Sequence, residues 1–260
     1  MSTTGAAVSV KRGQVHRGGG GGVIYRQRLV HQAAELEFLD CGEFSLAPGC
    51  ATQTFSFPGR ESLLYLWKGF AAVTTGGRDY TLSGYDMLYV PLGAAFSITN
   101  LGADPAAVLV TSAPAENVHP AHHARFREVA SREDRIRRLK GKDVYLMFDV
   151  SEAADKLVAG YTFFQPFQRS WPPHNHTDQE EVYIFIKGHG AMEVYESPET
   201  LSFVVEAGEG DIVSIPKLNY HPVFSQAEPL EFIWCIAGAR YWVGDKSKAF
   251  LQGTAEAVTT

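Results

Sequence analysis

The sequence predicts an all-β protein built from two related β-barrels, and three observations carry that prediction. Short apolar or alternating runs, cut by Gly, Pro and Asp, fill the chain from Tyr25 to about Ala113 and again from Asp143 to about Trp242. No window sustains the 3.6-residue apolar period of a long amphipathic helix. The two stretches also repeat one another. Pro91 follows Asp86 by five residues in G-Y-D-M-L-Y-V-P, and Pro216 follows Asp211 by five in E-G-D-I-V-S-I-P; Gly69 of L-Y-L-W-K-G likewise matches Gly188 of Y-I-F-I-K-G.

Taken in order, residues 1–24 read as a flexible tail, because small and polar residues ending in the five glycines Gly18 to Gly22 bury too little surface to offset the entropy of ordering. A first barrel without metal ligands is expected over residues 25–118. Its strands are expected at Leu36–Leu39, Phe44–Leu46, Ser62–Trp67, Ala71–Thr74, Met87–Val90, Phe96–Thr99 and Val108–Thr111. Residues 119–142 change character: between Arg125 and Lys142 there are eight Arg or Lys against three acids, which reads as a solvated basic linker with a short helix. His119, His122 and His123 sit in that linker as surface histidines. A second barrel is expected over residues 143–250, with strands at Val144–Phe148, Gly160–Phe164, Glu181–Ile186, Ala191–Tyr195, Leu201–Glu206, Asp211–Ile215 and Leu230–Ile236, and a surface segment after Asp245.

Composition narrows the function. At 260 residues, 45% hydrophobic and 20% charged, the chain has a soluble globular composition, and a formal charge of −6 argues against a nucleic-acid partner. Cys41, Cys50 and Cys235 lack paired spacing, so they read as core fillers rather than a disulfide framework or a cysteine zinc site. No apolar run approaches the roughly 18 residues of a membrane span, and a cytoplasmic protein is expected.

The chemistry concentrates in W-P-P-H-N-H-T-D-Q-E-E-V-Y-I-F-I-K-G, residues 171–188. Side chains at i and i+2 of extended chain leave one face, roughly 7 Å apart, so His174 and His176 can converge. Glu181 follows at the start of a strand on which Glu181 and Tyr183 share one face and Glu180 the other. His221, just after the second proline turn, completes a set of three imidazoles and one carboxylate, which suits Zn, Mn, Fe, Ni or Co. In the first copy the repeat puts Phe55, Phe57, Ser62 and Phe96 at these four positions, so the first barrel is expected to hold packed phenylalanines where the second holds a metal.

Around the ligands, Tyr183 is a candidate acid or hydrogen-bond donor, with an inward core tyrosine as the competing reading. Tyr183 and Glu181 form the catalytic set. Tyr220 and Trp171 border the pocket, and His189 belongs to the K-G-H-G turn. Gln168, Arg169, Arg138 and Lys142 carry the donors that a substrate carboxylate needs, although each also reads as a surface residue.

The pattern H-x-H, four residues, E, six residues, G, followed by G, five residues, P, four residues, H resembles the cupin superfamily, and His174, His176, Glu181 and His221 fall on its metal-ligand positions. Leu218 departs from it, standing where the second motif usually has glycine. The two-domain layout with ligands only in the second half, together with P-P-H-N-H at 172–176, E-E-V-Y at 180–183 and Y-H-P-V at 220–223, resembles the 5-deoxyglucuronate isomerase and 5-keto-4-deoxyuronate isomerase family. That resemblance implies a bicupin of two jelly-roll barrels, a metal that is most often zinc, and a ketol-isomerase acting on a small acidic sugar such as 5-deoxyglucuronate. A homo-oligomer is compatible with it. A bicupin dioxygenase and a non-catalytic sugar-binding cupin are the alternatives, and oxygen consumption separates the first of these from an isomerase.

Overall fold

Alternating β-branched and aromatic residues favour strands when both faces can be covered, and here the two halves of the chain cover each other. The computed structural model describes residues 8–10, 14–16 and 22–241. Nearly all regular structure in it is antiparallel β. One seven-stranded sheet runs in the order His122–Ala124, Met87–Val90, Arg60–Lys68, Ala106–Pro114, Asp40–Leu46, Val23–Leu29, Gln14–His16. The other runs Val8–Val10, Ile212–Ile215, Gln179–Lys187, Leu230–Gly238, Leu157–Phe164, Lys142–Phe148, Ile136–Leu139. Each half adds a three-stranded sheet, with Ala71–Thr75 between Arg78–Leu82 and Phe96–Asn100 in the first and His189–Ser197 between Thr200–Gly208 and Val223–Ser225 in the second.

The two halves therefore have one topology, and the repeat extends to single hydrogen bonds. Asp86 Oδ2 accepts from the Ser83 N–H at 3.0 Å, and Asp211 Oδ2 accepts from the Gly208 N–H at 2.9 Å, closing the same turn before the same strand. Gly69 and Gly188 both take left-handed φ, +82° and +80°, where an added Cβ would strike backbone at Ala106 and Pro229. Both glycines are required by that close approach.

Three cores result. One lies inside the first half around Phe44, Leu64, Phe96 and Val108, and one inside the second around Phe164, Phe185, Phe232 and Val213. The third lies between the halves, where Leu63, Tyr65 and Tyr89 of one sheet meet Val182, Ile184 and Phe148 of the other. Each central strand is thus buried on both faces: in Gln179–Lys187, Tyr183 and Phe185 point into the second half while Val182 and Ile184 face the first.

Several elements differ from the sequence expectation. Leu36–Leu39 is not a strand, because the N–H groups of Glu37, Phe38 and Leu39 turn to the buried Glu180 carboxylate instead of a ladder partner. Val8–Val10 and Gln14–His16, within the expected tail, pair at the edges of the second and first large sheets; an open edge offers unpaired N–H and C=O groups to any nearby segment. Between residues 119 and 142, His122–Ala124 extends the first large sheet, Ile136–Leu139 extends the second, and the helix Phe126–Val129 lies between them. The His123 side chain is only 7% exposed, 3.4 Å from Asp86, so it is not a surface histidine. Cys41 and Cys235 are buried and Cys50 partly so, all three as free thiols. The segment after Asp245 lies outside the described residues. No helix among the described residues is long and apolar enough to cross a membrane.

Candidate metal centre and active site

His174 and His176 lie in the loop that leads into the Gln179–Lys187 strand, and His221 lies in the loop between Ile212–Ile215 and Val223–Ser225. Two backbone hydrogen bonds hold these loops together: the Leu218 N–H donates to the His176 carbonyl at 2.7 Å, and the His221 N–H to the His174 carbonyl at 3.3 Å. Convergence of the imidazoles comes from this pairing of two loops rather than from a strand. Leu218 takes φ +71° and stands 45% exposed. It adopts the left-handed conformation that a glycine would adopt freely, at a cost of about 1–2 kcal/mol, and the turn keeps its shape.

One ring nitrogen from each of His174, His176 and His221 lies within 4.8 Å of the others, the one such group of potential ligands among the described residues. Glu181 Oε2 stands 3.2 Å from His176 Nε2 and 3.1 Å from His221 Nε2. All but His174 are buried. Neighbouring acceptors determine the tautomers. His221 Nδ1 lies 2.8 Å from the Asn219 carbonyl, which can only accept, so Nδ1 carries a proton and donates it. His176 Nδ1 lies 3.0 Å from Gln179 Oε1, and the Gln179 amide is oriented by its own donation to the Ala239 and Tyr241 carbonyls. In neutral imidazoles Nε2 is then a bare lone pair beside a carboxylate oxygen.

Two such acceptors at 3.1–3.2 Å repel unless a cation lies between them. His221 Nε2 is buried, and although Glu181 is at ion-pair distance it is misaligned for a hydrogen bond, leaving that nitrogen without one. Burial, the imidazoles of His221 and His176, and then Lys142 and Arg137 push the His174 imidazole well below its ordinary range, so it is the neutral form that faces the other two rings. Burial opposes ionisation of Glu181, while His176 and His221, when their Nε2 atoms carry protons, hold its carboxyl below the usual carboxylate range; a cation bound there would take the place of those protons. Three imidazole nitrogens and one carboxylate oxygen fit a divalent ion, with Gln179 and the Asn219 carbonyl as the groups that would orient the His176 and His221 rings.

The equivalent place in the first half is apolar. Phe55 and Phe96 pair there through their backbones, as His174 and His221 do, and the Phe55, Phe57 and Phe96 rings cluster with centroids 6.0–6.5 Å apart around Phe96. Phe96 is fully buried, whereas Phe55 and Phe57 are half-buried.

Tyr183 shares the inward face with Glu181. Its ring stands 5.9 Å from that of His221 and 4.5 Å from that of Phe232, and burial followed by the Glu181 charge pushes its phenol well up, so the hydroxyl stays protonated. Glu180 points the other way, into the first half. Trp171 packs edge-on to Tyr195 and lies under the Arg169 guanidinium at 4.0 Å. Tyr220 is half-buried, its carbonyl accepting from the Tyr195 N–H. His189 is an exposed turn residue paired with Glu228 at 2.6 Å.

The four expected carboxylate binders separate. Arg169 is paired with Glu193 and donates to the Tyr195 hydroxyl at 2.8 Å. Arg138 is exposed and held by Glu133 at 3.0 Å and Asp143 at 3.1 Å. The Gln168 amide donates to the Pro166 carbonyl at 3.2 Å, next to Gly141. Lys142 alone acts electrostatically on the ligands, influencing both His174 and Glu181. Two polar residues of the site were not anticipated. Arg137 acts on His174 in the same way as Lys142; counting by twos back from Lys142 leads to Arg138, and only the hairpin register places Arg137 on the inward face. Asn219 is fully buried with both amide atoms unpartnered, and no sequence signal singles it out.

Comparison with known proteins agrees with this architecture. Over 173 residues the chain is 27% identical to the 4-deoxy-L-threo-5-hexosulose-uronate ketol-isomerase of Opitutus terrae, a match covering 64% of this chain and 62% of that protein, so under two thirds of that relative is spanned. Among solved structures, an IolB-like protein from Salmonella typhimurium LT2 superposes with a TM-score of 0.71 at 22% identity, covering 86% of this chain and 92% of that one. A Bacillus subtilis oxalate decarboxylase variant superposes with a TM-score of 0.73 at 16% identity, covering 93% and 79%. At these identities the structures share the fold, a bicupin. The KduI/IolB family model matches residues 17–251 with the ligand loops inside the match, and the chain belongs to the KduI/IolB family.

Proposed function

We propose that the protein is a metal-dependent ketol-isomerase of a deoxy uronic acid such as 5-deoxyglucuronate, with His174, His176, Glu181 and His221 holding the ion. The observation that carries this reading is the convergence of three imidazoles beside one buried carboxylate in a chain whose relative is named a ketol-isomerase. A divalent ion such as zinc, manganese or iron supplies Lewis acidity toward the carbonyl and adjacent hydroxyl of the substrate. The reaction needs no redox partner: the C2 proton leaves, its electron pair forms a C1–C2 double bond as the carbonyl oxygen takes a proton, and reprotonation at C1 with loss of the hydroxyl proton gives the ketose. The Tyr183 hydroxyl, protonated and on the inward face, is the donor toward a substrate oxygen. Phe232, Phe185 and Phe164 keep the floor behind it dry.

The test is anaerobic. Purified protein should interconvert aldose and ketose forms of an acidic sugar without added redox cofactor, lose activity on chelation and regain it with metal. Solvent deuterium should enter the product. A requirement for O2, or oxygen from O2 in the product, replaces the reading with a dioxygenase; no turnover across a panel of uronates by metal-loaded, folded protein replaces it with a sugar-binding cupin.

A further inference from the structure

We propose that Arg137 and Lys142, one residue pair on the inward face of the first hairpin of the second half, bind the carboxylate of the substrate. The inference rests on the acidic-sugar reading above and names the residues that make the site selective for it. Cross-strand partners in an antiparallel sheet share a face, so the register decides which basic residues look inward. Arg137 pairs with Val144, and Lys142 with Leu139 and Phe164. From there Val144 pairs with Thr162, Thr162 with Phe232, Phe232 with Phe185, and Phe185 lies two and four residues along its strand from Tyr183 and Glu181. Arg137, Lys142, Tyr183 and Glu181 thus lie on one continuous face. Arg138 lies on the opposite face, where Glu133 and Asp143 neutralise it.

Lys142 is placed by its neighbours. Its ammonium donates to Ser170 Oγ at 2.7 Å and lies 5.2 Å from the centre of the Phe164 ring. Ser170 is anchored by its own N–H to the Val223 carbonyl, two residues beyond His221. The residues next to Ser170 are those of the loop that carries His174. Both Arg137 and Lys142 act on His174, and they repel each other. On one inward face, an ammonium offers a carboxylate a point charge and a guanidinium offers it a planar fork of donors. A monocarboxylate bridging an ammonium and a guanidinium suits that pair, and the remainder of a six-carbon acid then reaches toward the imidazoles.

The experiment uses full-length, metal-loaded protein and the variants Arg137→Gln, Lys142→Gln, Lys142→Arg and Arg138→Gln. Equilibrium binding of glucuronate and of glucose is measured by calorimetry, and KM and kcat are measured for any uronate that turns over. The expected result is that wild type prefers glucuronate to glucose by tenfold or more, and that Arg137→Gln and Lys142→Gln each lose at least tenfold in glucuronate affinity or KM. Glucose binding and metal content should be unchanged, the melting temperature should not fall, kcat should stay within a few-fold, Lys142→Arg should restore most of the affinity, and Arg138→Gln should behave as wild type. Equal affinities of wild type for the two sugars, an effect of Arg138→Gln equal to that of Arg137→Gln, or loss of kcat alone would overturn the assignment. Because binding is read without turnover, a clamp that holds glucuronate in a protein that isomerises nothing would leave this inference standing and remove only the isomerase reading.

Discussion

Glu61 and Glu180 occupy the same position in the two copies of the repeat, and each sends its carboxylate into the other half. Glu180 accepts the N–H groups of Glu37, Phe38 and Leu39 at 2.5, 2.8 and 2.7 Å. Glu61 accepts those of Asp155, Lys156 and Leu157 at 2.9, 2.7 and 3.0 Å, and the Tyr89 hydroxyl at 2.8 Å. Both side chains are buried. Glu180 precedes Glu181, so the strand that presents the carboxylate ligand on one face is clamped by the first half through the other. A half with phenylalanines at the equivalent positions thereby positions the candidate metal site of the other half.

Removing one clamp should therefore destabilise the whole molecule. Glu180→Leu strands the buried Leu39 N–H and removes the acceptor of the less buried Glu37 and Phe38 N–H groups, and with about 1–3 kcal/mol for an unsatisfied buried group the expected loss is about 1–3 kcal/mol. Glu61→Leu should do the same from the other side. Denaturant midpoints check this, and a midpoint within error of wild type for both variants would show that water replaces the carboxylates.

Metal content follows from the ligand geometry. Purified protein should carry close to one divalent ion per chain, and His176→Ala or His221→Ala should lose most of it, since three remaining donors leave an incomplete shell. Gln179→Leu, which frees the His176 ring from its orienting partner, should weaken binding about 10–100-fold. Elemental analysis after dialysis against a graded chelator reads all three; full occupancy in both histidine variants would place the metal elsewhere.

In the first half, Phe96→Ala should cost about 3–5 kcal/mol, the range for deleting a large buried aromatic side chain. Phe55→Ala and Phe57→Ala should cost less, because those rings are half-buried. The ranking is checked by thermal denaturation of the three variants, and equal losses would mean that the cluster is packed more uniformly than its exposure indicates.

The pH dependence of binding follows from Lys142. Burial, and secondly Arg137, push its ammonium down from the ordinary 10.5 to about 8, against a smaller opposing pull from Glu181. Below pH 8 the group is charged in both folded and unfolded chains and the cost of burying it is fully present. Between about 8 and 10.5 the unfolded chain binds a proton that the folded one does not, so this contribution to stability rises with pH. Affinity for a carboxylate runs the other way: it should fall as pH rises through about 8, and Lys142→Arg should remove that alkaline limb. A titration of glucuronate affinity from pH 6 to 10 is the measurement, and an identical alkaline limb in Lys142→Arg would assign it to another group.

Read alone, the sequence determined the elements whose periodicity or chemistry is local. Strands such as Met87–Val90 announce themselves by composition, the repeat by the spacing of Asp86 and Pro91 against Asp211 and Pro216, and the candidate ligand set by H-x-H, Glu181 and His221. Edge strands such as Arg78–Leu82 and Ile136–Leu139 were not legible, because their polar residues give no apolar alternation and their order depends on a neighbour's free edge. Leu36–Leu39 looked like a strand for the converse reason: its apolar residues are buried, but its N–H groups belong to Glu180, 141–143 residues away. The choice between Arg137 and Arg138 is of the same kind. Adjacent residues of one type are indistinguishable in sequence, and the face each takes is decided by a register that passes through four strands to Glu181. Local pattern determines which residue types can form a site, and only long-range strand pairing decides which of them reach it.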